Sequence, residues 1–436
     1  MSSPLQVDIK GENEISDSLP TLWNAAPLKD LAEFKNGYAY KSSDWLSSGV
    51  PVVKIANVGN GEVNLQGCSY ISEKLALETS EFSVGNGDFL IALSGVTLGN
   101  SGTYHQAGTA RINQRVARII LKPNCGFHQR LLELFFESPA AFGFIWSSAK
   151  GAAQPNISTK SIEQFILPIP PLAEQEKIVE ILEEQLSRLD AALASVRAVR
   201  EKSARFRRSL LHAAFTGALT GHDTSDGTLP PGWERKELED IAETQLGKML
   251  NSSKQTGSAL KPYLRNINLQ WGRIDLSDVK EMDIFDNEMR QFMLAKGDVL
   301  VCEGGEPGRS AVWNLDIEMG FQNAIHRIRP RERLSSEFAC YQFEWLVKNG
   351  ILDELFTGVT IKHFSQQKLR KVEFVVPSLN EQEKIVQILE EQFSRLDASL
   401  VIADAIETKA SNMRRSLLHA AFTGELTRGW REGAHV

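Results

Sequence analysis

The clearest hydrophobic pattern in this chain is a narrow apolar stripe that occurs twice. In the stretch 174–220, Leu182, Leu189, Val196 and Leu210 fall on a seven-residue grid, with Ser203 in the remaining slot. Ile178, Leu186 and Leu193 flank them. In 381–427 the same grid carries Leu389, Leu396, Ala403, Ala410 and Leu417, flanked by Ile385, Phe393 and Leu400. Such a stripe with charged sides predicts a long helix lying along another helix. Pro170 and Pro171 before one copy, and Pro377 before the other, predict hard starts. Asn380 with Glu383 predicts a capping box that the first copy lacks, because Ala173 stands at that place. Glu174 and Glu176 suit a positive helix N-terminus, and Gly217 and Gly424 are the expected stops. A helix of about 40 residues would span roughly 60 Å. The cheapest partner for each seam is the other copy, as an antiparallel pair holding two globular units apart.

The repeat extends beyond the stripe. EQEKIV and RRSLLHAAFTG recur unchanged at an offset of 207 residues, far longer than the roughly 20–50-residue period of a solenoid. Half the chain is duplicated, and its globular part repeats more loosely. Trp23, Leu28, Asp30, Leu31, Ala32, Glu33 and Gly37 match Trp233, Leu238, Asp240, Ile241, Ala242, Glu243 and Gly247. Pro51, Lys54, Asn57 and Gly61 match Pro262, Arg265, Asn268 and Gly272. Gly87-Asp88 matches Gly297-Asp298, Gly95 matches Gly305, Gln114 to Pro123 matches Gln322 to Pro330, and Gly151 and Ser158 match Gly358 and Ser365. Framework positions agree while the loops between them differ, as expected if each copy must recognise a different target.

Short β-type runs at 50–58, 88–93 and 116–121 are separated by Gly, Asn and Ser turns. The segment 128–146 has helical spacing, with Leu131, Leu132, Leu134, Phe135 and Phe136 offering a buried face. The partition is an extension at 1–20, a globular domain at 21–170, a helical spacer at 171–221 and a linker at 222–232. A second domain at 233–376 and a second spacer with a tail at 377–436 complete it.

Composition narrows the classes. No apolar run reaches eighteen residues and no leader pattern is present, so a membrane span is not expected. Cys68, Cys125, Cys302 and Cys340 are widely spaced and read as reduced thiols. The net charge of −7 gives no support to nucleic-acid binding by the chain as a whole, although a local basic face is compatible with it. No phosphate-binding loop is present: Gly304 to Ser310 is glycine-rich but has no lysine in place. The adenine-binding signature of amino-methyltransferases and the deaminase pattern are missing too. His212 and His419 recur at the helix ends and read as packing or capping residues. The residues support binding without chemistry.

Two variable domains, each followed by a near-identical helix that opens with EQEKIV and closes with LLHAAFTGxLT, resemble the specificity subunit of type I restriction-modification systems. The resemblance runs from about residue 21 to 431. It implies an α/β (α+β) fold: two similar target-recognition domains of mixed sheet and loops. Two long helices forming an antiparallel coiled coil would separate them with pseudo-two-fold symmetry. It also implies double-stranded DNA, two modification (methyltransferase) subunits and restriction subunits as partners, in a prokaryotic cytoplasm. No cofactor is expected in this chain; S-adenosylmethionine, ATP and Mg would belong to the partners.

Base reading needs Arg, Lys, Asn, Gln or small polar groups in loops. The first domain offers Tyr38, Lys41, Lys54, Ser94, Asn113, Gln114, Arg115 and Lys150. The second offers Lys248, Arg265, Asn266, Arg309, Gln322, Asn323, His326 and Lys362. The bland reading of each is a solvated surface group. The basic run from Arg197 to Arg208 reads as a solvated helix face, the alternative being phosphate contact or docking of an acidic partner surface, with Arg207-Arg208 and Arg414-Arg415 shared by both copies. The competing reading of the whole chain is a coiled-coil scaffold with no DNA role.

Overall fold

The computed structural model describes residues 19–433 except 60, 152–153, 252–254 and 359–361. Most of the expected extension at 1–20 therefore lies outside the described residues. The chain forms two compact units. One comprises the residues up to Ser195 with those from Ala405 onward; the other is Val196–Asp404. Each unit thus holds one globular domain, the opening half of the helix that follows it and the closing half of the other long helix.

In the first unit, Ala32–Asn36, Val116–Leu121, Phe89–Ala92, Ser101–Thr103, Gly61–Val63 and Val58–Gly59 form a six-stranded sheet in that order. A second sheet orders Ser69–Ile71, Val50–Val53, Ala110–Ile112 and Ser83–Val84, with a parallel pairing of Val52 on Arg111. The second unit repeats the plan with fewer strands. Ala242–Leu246, Ile325–Pro330, Asp298–Cys302 and Ser310–Trp313 form one sheet, and Lys280–Asp283, Leu260–Leu264 and Gly320–Phe321 the other. The parallel pairing recurs as Tyr263 on Gly320. The sheets are mixed, as expected. The helical pattern at 128–146 resolves into two helices, Gln129–Phe136 and Pro139–Ser148, because Ser138 caps a new start with Pro139 at its first position.

Both long helices are 45 residues, Leu172–Thr216 and Leu379–Thr423. They end at Gly217 and Gly424, whose φ values of 93° and 78° lie in the left-handed region. The cap of the second helix is not Asn380. The helix starts at Leu379, two residues before an Asn380 cap would start it, and Ser378 receives the Glu381 N–H at its carbonyl (3.0 Å) and Oγ (3.4 Å).

The antiparallel pairing is visible inside each unit. In the first, Arg414 of the second helix bonds Asp190 of the first (3.1 Å) and Glu137 of the domain (2.7 Å). In the second, Arg200 bonds Asp404 (2.6 Å), and Arg207 grips Glu344 through two bonds of 2.6 and 2.8 Å. The two arginines shared by the repeats at 207 and 414 are therefore structural. Arg207 also lies over the Phe393 ring at 3.9 Å. The closing motif of each helix supplies core. Leu418, Ala421 and Phe422 pack with Leu131, Phe135, Ile178 and Leu182 in the first unit. Leu211, Ala214 and Phe215 pack with Phe338, Ile385, Leu389 and Phe393 in the second.

The repeated Glu-Gln pair explains why the opening and closing motifs travel together. Buried Glu174 accepts from Trp23 Nε1 (2.9 Å), from Thr427 Oγ1 (2.5 Å) and from Arg431. Glu381 accepts from Trp233 Nε1 (3.1 Å) and Thr220 Oγ1 (2.8 Å), and it meets His222 Nε2 (2.7 Å). Burial pushes the Glu381 carboxyl up, but bonds from His222, Thr220 and Trp233 outweigh it and hold the group below the ordinary carboxylate range. Gln175 accepts from the His128 N–H (2.7 Å) and donates to the carbonyls of Gly126 (2.8 Å) and Pro170 (2.9 Å). Gln382 does the same with the Ser335 N–H and the carbonyls of Arg333 and Pro377, at 2.9, 2.9 and 3.0 Å. A fully buried amide making three backbone bonds fixes where a helix leaves its domain.

Replacing either glutamine by leucine orphans three backbone groups. Gln175→Leu and Gln382→Leu are each expected to cost about 2–4 kcal/mol in denaturant unfolding. Lys177→Ala, on a half-exposed surface ion pair, should stay within about 0.5 kcal/mol. Equal stabilities would show that the clasp is peripheral.

Candidate nucleic-acid interface

Three loops meet at one end of the main sheet in each unit, joined through backbone bonds. In the first unit the Asn113 N–H donates to the Val53 carbonyl (3.0 Å), Gln114 N–H to Tyr38 (3.0 Å) and Val116 N–H to Asn113 (2.8 Å). In the second, Gln322 N–H donates to Leu264 (2.9 Å), Asn323 N–H to Lys248 (3.0 Å) and Ile325 N–H to Gln322 (2.9 Å). These bonds correct the sequence match by one position. Gln322 is the counterpart of Asn113, and Asn323 that of Gln114, so each turn carries two amides in exchanged order. Gly37 and Gly247 permit the approach: a Cβ on either would lie 2.2 Å from the carbonyl oxygen of Ile112 or Gln322.

The second loop is fixed to the first by Leu93 N–H on the Arg115 carbonyl, and in the other unit by Glu303 N–H on Ala324, both 2.9 Å. The third is fixed by Ile157 N–H on Leu93 (3.0 Å) and by Phe364 N–H on Glu303 (2.7 Å). Lys150 pairs with Asn156 where Thr357 pairs with His363. The backbone frame is thus common, while Leu93, Ser94, Arg115 and Asn156 face Glu303, Gly304, Ala324 and His363 as counterparts.

This geometry gathers Tyr38, Ser94, Asn113, Gln114, Arg115 and Lys150 in the first unit, and Lys248, Gln322, Asn323 and Lys362 in the second. Gln114, Arg115 and Lys150 are exposed; Ser94 is nine-tenths buried but lines an open cavity. Lys41 lies in a separate exposed loop. Lys54 bonds Ser69 Oγ (2.7 Å) and lies 3.8 Å from the centre of the Trp45 ring. Asn266 uses its carbonyl to hold Arg309 (2.9 Å).

The cations of the two units differ in their partners. Lys248 pairs with Glu288, Arg265 with Asp278 (2.7 Å), Arg309 with Glu306 (3.2 Å) and Lys362 with Asp353 (3.4 Å). Among the described residues, the side chains of Lys41, Arg115 and Lys150 have no such partner. The Lys362–Asp353 pair is exposed and worth about 0–1 kcal/mol, so a phosphate could displace that carboxylate at little cost, whereas Lys248, Arg265 and Arg309 are themselves largely covered.

His326 must be withdrawn from the candidate set. It is fully buried, its Nε2 lies 2.6 Å from the Phe364 carbonyl, and its counterpart by strand position is buried Ala117. The basic sheet position invited the error, since strand alternation alone does not tell which face is covered. Asn36, Gln154, Asn156, Glu303 and His363 line this end and were not selected from the sequence. The signal for three of them was available: they lie between the repeated glycines 151 and 358 and the repeated serines 158 and 365.

A family profile described as the type I restriction modification DNA specificity domain matches residues 20–194 and 230–401. The chain belongs to that family. It is 26% identical to the EcoBI specificity subunit of Escherichia coli over 98% of this chain and 90% of that protein. It is 25% identical to the StySPI specificity subunit of Salmonella potsdam, over 95% and 91%. A solved structure from work on complex assembly and conformational transition of the type I R-M system has a TM-score of 0.68 at 18% identity, covering 94% of this chain and 99% of that one. The HsdS subunit from Thermoanaerobacter tengcongensis has a TM-score of 0.50, also at 18% identity, covering 94% and 98%. Specificity subunits are recognition components, so the expectation of a non-catalytic chain accords with membership. Among the described residues no cluster suited to a metal is present, and no helix is long and apolar enough to cross a membrane.

Burial lowers the pKa of His326, outweighing the opposing Phe364 carbonyl and Glu303 carboxylate. The stability that neutral His326 provides is complete above about pH 6.5 and is lost as pH falls through its lowered native value. Unfolding of the second unit should therefore become easier below about pH 6.5. In His326→Leu that slope should vanish while DNA selectivity is unchanged; an altered target sequence would return His326 to the interface.

Proposed function

We propose that this specificity subunit reads a bipartite, asymmetric DNA target, one half per domain, through the loop cluster at the end of each sheet. The observation that carries the reading is the common backbone frame bearing unlike polar side chains. One scaffold with two side-chain sets suits two different base sequences read in the same groove, and the major groove is the one that distinguishes all four base pairs. The long helices act as the ruler between the half-sites, at a spacing near one turn of DNA, about 34 Å. The repeated helix surfaces dock two modification subunits. Those partners carry S-adenosylmethionine and methylate N6 of an adenine taken out of the stack. Restriction subunits using ATP and Mg join through them, in the prokaryotic cytoplasm. The chain supplies no cofactor of its own.

The reading is tested by expressing the chain with its modification partner and mapping N6-methyladenine across the host genome. One bipartite motif with unlike halves, lost when this chain is deleted, is the expected outcome. A soluble complex that directs no chain-dependent methylation would favour the scaffold reading. Exchanging residues 21–165 for another domain of the family should alter one half-site and leave the other; alteration of both would break the modular reading. Inserting about four residues, one helical turn, between Leu193 and Val196 should lengthen the spacer or abolish assembly. Full activity at the original spacing would show that the helices set no distance.

A further inference from the structure

The loop cluster of the first unit encloses an open cavity of about 310 Å³, lined by Asn36, Ser94, Gln114, Arg115, Gln154 and Asn156 among others. Ser94 is the unusual member. Its residue is 5% exposed, and among the described residues its Oγ has no hydrogen-bond partner. A buried hydroxyl without a partner is costly unless something else satisfies it. Beside it the Arg115 guanidinium is exposed and, among the described residues, unpaired. Its backbone is not free: the Arg115 N–H donates to Asn113 Oδ1 (3.2 Å) and its carbonyl holds Leu93 (2.9 Å). A fixed backbone presenting a free fork of donors over an open polar cavity is arranged to meet two acceptors at once.

The same place in the second unit has the opposite character. Ala324 replaces Arg115, Gly304 replaces Ser94, and Glu303 replaces Leu93. His363 lies against Gly304, where a Cβ would be 3.5 Å from Nδ1, and it meets the Glu303 carboxylate at 3.2 Å. A donor cluster in one frame has thus become an acceptor in the other.

We infer that Arg115, supported by Ser94, reads a guanine in the half-site of the first domain, and that this position is one at which the two half-sites differ. Guanine presents two acceptors, N7 and O6, on its major-groove edge, and arginine meets both. Ser94 Oγ is covered, the atom exposing less than 1 Å², so it backs the cavity wall and makes no contact with the base itself. The amides of Gln114, Gln154 and Asn156 close the rim. The inference rests on the proposed DNA-reading role of these loops, and it names a base and a residue that the role alone does not.

The test uses the complex with the modification partner. The methylation motif is mapped for the natural chain, Arg115→Ala and Ser94→Ala, and binding is measured on duplexes carrying guanine or 7-deazaguanine, which lacks N7. The expected motif contains a guanine in the first domain's half that becomes degenerate in Arg115→Ala, while every other position is retained. Discrimination at that position should fall by about 5- to 150-fold, the value of a bidentate contact. The natural complex should bind the 7-deazaguanine duplex more weakly, and Arg115→Ala should not distinguish the two duplexes. Ser94→Ala should relax the same position with unfolding unchanged or slightly raised in temperature. An unchanged motif in Arg115→Ala overturns the inference but leaves DNA reading intact. So does relaxation at a different base or in the other half. Uniform loss of affinity for all sequences, with the complex still assembled, would make Arg115 a phosphate contact and also overturn it. If the natural chain directs no motif at all, the proposed function falls and this inference with it.

Discussion

A buried glutamine at the start of each long helix is the constraint on which the rest depends. Gln175 and Gln382 each satisfy one backbone N–H and two carbonyls from the loop ahead of the helix and from the domain. An amide that has used these bonds in a fully buried site allows one exit direction for the helix. The glutamate beside it ties the exit to the tryptophan that begins the domain and to the threonine, Thr427 or Thr220, four residues past the end of the other long helix. Domain start, helix start and helix end are thereby joined at one point in each unit. The ion pairs of Arg207 with Glu344 and of Arg414 with Glu137 repeat the same economy further along.

This arrangement separates what must stay constant from what is free to vary. The clasp, the closing Leu-Leu-His-Ala-Ala-Phe motif and the glycines under the sheet end set the backbone, and both copies keep them. Gln114, Arg115 and Lys150 at the rim are exposed, so these side chains can change with little loss of stability, whereas Ser94 is buried. The two units use that freedom differently. The first leaves Lys41, Arg115 and Lys150 without partners among the described residues. The second closes each of its candidate cations on a carboxylate. The net charge of −7 therefore conceals a difference between the rims rather than a uniform acidic surface.

Much of the fold was legible in the sequence because it rests on periodicity and repetition. The seven-residue stripe and its flanking prolines and glycines gave both long helices nearly to their ends. The strand at Val116–Leu121 appeared as expected, since its alternation is local. The exact duplication of the opening and closing motifs pointed to the family. The helical spacing at 128–146 was borne out, but the break that Ser138 and Pro139 impose within it was not foreseen, because the apolar spacing continues across it.

The sequence by itself determined that there are two domains, two long helices and two unlike sets of loops. Only the tertiary structure decided which polar residues reach a common surface. His326 looked like a reading residue and is core, because burial depends on which elements cover a sheet face. Glu303 and His363 looked ordinary and lie together at the rim, because loops distant in sequence are joined there by backbone bonds. The register of the amide turn moved by one position for the same reason. Identical letters suggested one match, while the N–H and carbonyl partners, which carry no side-chain identity, enforced another.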